Sequence, residues 1–114
     1  MLRDIDDFYA IQAETSRPII TCNIPRGEPP YVYFIQAGVG PIKIGLTVNP
    51  EVRLSGLQTA NSEVLRLVAA QLGGRRLEMD YHNQFKAHHI RGEWFTPHPD
   101  ILAEIGRLNR ATPA

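Results

Sequence analysis

At 114 residues the chain has room for one domain whose core needs no disulfide staple. Apolar residues at 43% and charged residues at 21% argue against a disordered or fibrous class, and no 18-residue apolar run is present to cross a membrane. Twelve basic side chains balance twelve acidic ones, which counts against strong indiscriminate binding to polyanions, and the single Cys22 has no partner for an internal disulfide.

Asp4, Asp6 and Asp7 interrupt the N-terminus, so no signal-peptide pattern forms and the cytoplasm is the default location. Across residues 4–15, Ile5, Phe8 and Ile11 fall on one stripe behind the early acids, which predicts a short helix. Pro18, Pro25, Pro29 and Pro30 rule out a long helix over residues 17–30, where Ile19 to Cys22 reads as an edge strand or an extended lead-in. Cys22 reads there as a small apolar residue rather than a nucleophile. Residues 1–30 form one unit in this reading, and residues 31–110 the domain proper.

Tyr31 to Ile35 and Ile42 to Gly45 are β-branched and aromatic runs separated by a glycine-containing turn, which predicts a hairpin over residues 31–46. Asn49-Pro50-Glu51 is a cap, a first-position proline and an early acid, opening a helix over about residues 50–60 with Leu54, Leu57 and Val52 toward the core. Residues 63–71 read as a third strand, with Leu65 and Leu67 on one face. Gly73-Gly74 ends it. A second helix over residues 75–89 carries Leu77, Tyr81 and Phe85 on its apolar side, with Glu78 and His82 one turn apart beside them. A short extended piece at residues 91–95 leads to a last helix over 100–110 carrying Ile101, Leu102, Ile105 and Leu108. The predicted architecture is α+β: a small three-stranded antiparallel sheet flanked by helices.

Several patterns lead nowhere. The glycines of residues 38–45 are not followed by Lys-Ser/Thr, so they are turn residues rather than a phosphate loop. His82, His88, His89 and His98 lack cysteine partners, and His88 and His89 cannot share a helix face, which argues against structural zinc. Trp94 and Phe95 read as caps on the core, with base stacking as the alternative.

Tyr31-Val32-Tyr33, then Lys43-Ile44-Gly45, an arginine at residue 53, and finally Gly92-Glu93-Trp94-Phe95 resemble the GIY-YIG nuclease superfamily, closest to its T5orf172 (Mug113-like) branch. The resemblance covers roughly residues 31–96, where seven basic and five acidic residues give a slight positive excess. It implies a GIY-YIG-like fold and a metal-dependent endonuclease hydrolysing double- or single-stranded DNA with Mg²⁺ or Mn²⁺. By position it implies Tyr33 and Arg53 as catalytic residues, Glu78 as the single metal ligand, and His82 as a histidine common in the branch. Tyr31 and Lys43 depart from the family pattern. The general base is therefore Tyr33 or His82, and Lys43, on the strand paired with that of Tyr33, is a candidate for lowering the phenol's pKa. The alternative is a catalytically weak module of the same fold that binds nucleic acid or a protein.

Overall fold

A computed structural model of the protein describes residues 18–113; the helix expected over residues 4–15 lies outside them. The elements are β1 (Ile19–Ile20), β2 (Tyr31–Ala37), β3 (Ile42–Thr47), α1 (Pro50–Thr59), β4 (Leu65–Leu72), α2 (Arg75–Gln84), a 3₁₀ turn (Lys86–His88), β5 (His89–Arg91), β6 (Trp94–Phe95) and α3 (Pro99–Ala111). They build one mixed six-stranded sheet in the order β1-β4-β2-β3-β6-β5. Only the β1–β4 pair is parallel.

The three-stranded antiparallel sheet expected from the sequence is therefore corrected to six strands, within the same α+β class. Strands β2, β3 and β4 are the predicted three. The added ones hold two or three residues each, too short for any alternation to show in sequence. They exist because partner strands offer unpaired edges. Thr21 N–H, just after β1, donates to Leu67 O at 3.0 Å, and Ile44 N–H donates to Glu93 O at 2.9 Å beside β6. Gly92 turns β5 into β6 at φ +56°, a left-handed conformation that glycine adopts without strain.

β2 lies between β3 and β4 and is buried on both faces, as its unbroken apolar run requires. One face joins Val32, Phe34, Ile42 and Ile44 to Tyr81 and Phe85 near α2 and to Ile101, Ile105 and Leu108 of α3. The other joins Tyr33, Ile35, Leu65 and Leu67 to Leu54 of α1, with Leu57 and Trp94 packed against them. A bulge in β4 makes the pairing skip Val68, so Val68 and Ala69 serve the same face while Leu65 and Leu67 serve the other.

Helix α1 starts where its capping signals place it: Asn49 Oδ1 accepts from Val52 N–H at 3.1 Å. Val52, expected in the core, is exposed, and so is Leu102 of α3. Gln58 is buried and ties α1 to β4, accepting from Leu65 N–H at 2.7 Å and donating to Glu63 O at 2.8 Å. The helix predicted over residues 75–89 stops at Gln84, since Phe85 leaves helical geometry and residues 86–88 tighten into the 3₁₀ turn. Cys22 is half-buried, and burial pushes its thiol up to about 11, so it is a poor nucleophile at neutral pH. Among the described residues no helix is long and apolar enough to cross a membrane.

Candidate active site

The site forms where β3 runs past the end of β6. Tyr33 stands on β2 opposite Gly45 of β3 on one side and Ala70 of β4 on the other, two neighbours too small to block a ring. The ring is buried, and its phenol lies over Gly45. A Cβ at Gly45 would collide with Tyr33 Oη and Cζ and would stand 2.9 Å from Glu93 Oε1. The missing side chain thus makes the space in which the phenol and the Glu93 carboxylate approach each other. Arg53, in the first turn of α1, donates from Nε to Tyr33 Oη at 3.5 Å. The Asn49 cap sets that turn, and with it the guanidinium.

From the other side, α2 brings Glu78 in its first turn and His82 one turn later. The His82 ring packs edge-on against Phe95 with centroids 5.0 Å apart, and its Nε2 lies 2.8 Å from Ile44 O. A carbonyl only accepts, so Nε2 carries a proton and Nδ1 is the nitrogen left to accept one. The contact also satisfies a β3 carbonyl that β6 is too short to reach. Ile44 is thereby held at both polar groups, its N–H by Glu93 O and its C=O by His82.

Glu93 is the residue that sequence reasoning missed. Its Oε1 is 3.0 Å from Lys43 Nζ, and that ammonium also sits 5.5 Å from the centre of the Trp94 ring. The carboxyl of Glu78 is raised above its ordinary value by partial burial, then by the Glu93 charge and a hydrogen bond with Glu93; His82 and Arg75 pull it part of the way back. The signal was present in Gly92-Glu93-Trp94-Phe95. The aromatic pair there drew the structural reading, and the acid between them and the turn glycine has no helical or strand periodicity to mark it.

The Tyr33 phenol is raised, first by burial; the Arg53 hydrogen bond and charge lower it, while the Glu93 and Glu78 charges raise it further. The phenol therefore stays protonated at neutral pH. Lys43, considered from sequence as the group that would favour a phenolate, is engaged by Glu93 instead. All five residues singled out in sequence, Tyr33, Lys43, Arg53, Glu78 and His82, are brought to the Lys43–Gly45 segment of β3. Trp94 packs with the Tyr33 face of the core and Phe95 with the opposite face, so the two aromatics close both layers.

Two cations, two carboxylates, a phenol and an imidazole around one bare strand position define an α+β domain with a site of mixed charge where β3 outruns β6. The T5orf172 domain matches residues 30–110, and the chain belongs to that family, a domain associated with GIY-YIG-like nuclease-type proteins. No curated protein and no solved structure gives a significant match to the chain.

Proposed function

We propose that the chain is an endonuclease of the Mug113-like kind, hydrolysing DNA phosphodiester bonds with Mg²⁺ or Mn²⁺ at the site around Gly45. The observation that carries this reading is the approach of Glu78 and Glu93 beside the Tyr33–Arg53 hydrogen bond. The donor set fits a hard divalent ion, because it consists of carboxylate oxygens whose mutual repulsion such an ion would relieve. Glu78, with Glu93 beside it, would hold the ion, which when bound would polarise the phosphate and neutralise the leaving oxygen.

The rest falls to the chain's own side chains. Arg53 is always cationic and stands ready to stabilise charge developing on the phosphate, where its interaction strengthens most. Tyr33, held protonated by burial, donates a hydrogen bond toward the same oxygens. His82 takes the general-base role through Nδ1, since Ile44 fixes its Nε2 proton. Lys43 is kept at the rim by Glu93 and Trp94 as a phosphate contact. A second reading, a binding module with weak catalysis, draws on the Lys43–Glu93 ion pair: an acid committed to the ammonium is not free to take an ion beside Glu78.

Plasmid, linear and single-stranded DNA incubated with Mg²⁺, Mn²⁺ or chelator, in wild type and Glu78→Gln, separates the two. Metal-dependent cleavage that disappears in Glu78→Gln supports the nuclease. DNA binding without cleavage under every metal condition supports the module. Cleavage that survives both chelator and Glu78→Gln refutes the assigned site.

A further inference from the structure

Away from Gly45, the structure gathers three metal-ligating side chains that the sequence keeps apart. His88 ends the 3₁₀ turn, His98 caps α3, and Asp100 lies in the first turn of α3. One ligand atom from each lies within 4.8 Å of the other two. The sequence argument against zinc rested on the lack of cysteine partners and on the adjacent His88-His89 pair. The fold pairs His88 with His98 instead, across the β5–β6 hairpin.

Three features suit this cluster to a cation. First, His88 Nε2 and His98 Nδ1 are each 3.5 Å from the same oxygen, Asp100 Oδ2. Ligands about 2.0–2.1 Å from a tetrahedral Zn²⁺ stand roughly 3.3–3.4 Å from one another, so two edges of the polyhedron already have nearly their final length. Second, the tautomer of His98 is set. Its Nδ1 accepts from Asp100 N–H at 3.1 Å, so that nitrogen is deprotonated, as a metal requires. Third, Asp100 supplies negative charge where the positive end of α3 would otherwise repel a cation. The two rings stack at 3.6 Å with their planes 11° apart. Ligation therefore requires them to fan open and requires Nδ1 of His98 to exchange the Asp100 N–H for the metal.

We propose that His88, His98 and Asp100 form a second metal site, for a divalent transition ion of the Zn²⁺ class with water as fourth ligand. Two imidazoles and one carboxylate suit zinc, cobalt, nickel or copper and not Mg²⁺, which prefers oxygen. The role is structural. His88 O accepts from Thr96 N–H at 2.8 Å at the base of the β5–β6 hairpin. An ion on His88 and Asp100 clamps that base to the start of α3.

The test is titration of the full chain, stripped with chelator, with Zn²⁺ or Co²⁺ by calorimetry, by the visible bands of tetrahedral Co²⁺, and by thermal melting. One equivalent should bind, and a hundredfold excess over Kd should raise Tm by roughly 10 °C. Mg²⁺ should not compete for this site, so the Co²⁺ bands should persist in its excess. His88→Gln, which leaves the His98 cap in place, should weaken binding at least about tenfold and remove most of the Tm rise. Asp100→Asn should do the same, while Glu78→Gln should leave Zn²⁺ binding unchanged. The site is refuted if Zn²⁺ fails to bind at millimolar concentration. It is equally refuted if His88→Gln and Asp100→Asn bind as wild type does, since the ion would then sit elsewhere.

Discussion

Replacing Glu78 by Gln should make the protein more stable at neutral pH while removing the proposed metal-dependent cleavage. At an effective dielectric constant near 20, two like unit charges in near contact repel by about 4 kcal/mol. That is an upper bound here, because Glu78 is only partly buried, the Glu93 side chain is 37% exposed, and Lys43, His82 and Arg75 offset the repulsion. Discounted for solvent screening, the relief is about 0.5–1 kcal/mol, or roughly 2–6 °C in Tm for a domain this size. The pH dependence fixes the cause. Glu78 has a raised carboxyl in the folded state, so the folded chain takes up its proton more readily than the unfolded chain does. The resulting stability is fully present below the ordinary carboxyl value near 4.3 and is lost as pH rises through the raised folded value. Wild type and Glu78→Gln should therefore melt together near pH 4 and diverge toward pH 7. Differential scanning calorimetry in chelator across that range reads the effect directly. A variant less stable than wild type at neutral pH, or a gain independent of pH, would refute the idea that the two carboxylates strain each other.

Arg53→Ala should lower kcat by roughly 10³–10⁵ while changing DNA affinity far less, because in the proposed mechanism its guanidinium acts on charge that develops during cleavage; equal, small losses in both would make it an ordinary phosphate contact. Gly45→Ala should displace the Tyr33 phenol and the Glu93 carboxylate, costing about 1–3 kcal/mol in denaturant unfolding and at least about a hundredfold in cleavage rate. Wild-type cleavage in Gly45→Ala would show that the bare strand position does not shape the site. Gln58→Ala should cost about 1–3 kcal/mol by leaving buried Leu65 N–H without an acceptor, with kinetic constants unchanged for the protein that remains folded.

The parts of the fold legible in sequence were those that repeat a local rule. The β2–β3 hairpin, the capped start of α1 and the apolar stripe of α3 carry periodicity or end signals, and all three form. Val52 and Leu102 were misplaced because a helix stripe does not say how wide the contact with the sheet will be. Of the short strands, β1 falls in the Ile19–Cys22 stretch read as an edge strand or lead-in and β6 in the extended piece over 91–95, but their places in the sheet were illegible, resting on hydrogen bonds to Leu67 and Ile44, distant in sequence. The same limit hid Glu93, which gains its meaning only from Lys43 and Glu78 across the turn. Family order marked Tyr33, Arg53, Glu78 and His82. It could not show that burial keeps the phenol protonated, or that Lys43 is committed to an acid.

The shortness of β6 has a consequence for how the molecule comes apart. Tyr33 rides on β2, which is hydrogen-bonded along both edges and opens only when the whole sheet does. Glu93 rides on a hairpin fastened to β3 by two paired positions and one further hydrogen bond. Amide exchange should separate the two, with β2 protected to the global limit and residues 89–95 exchanging through a local excursion of lower free energy. Mild heating or denaturant should consequently abolish the proposed cleavage while the far-ultraviolet circular dichroism is still close to native, as the β5–β6 hairpin swings away from the other four strands.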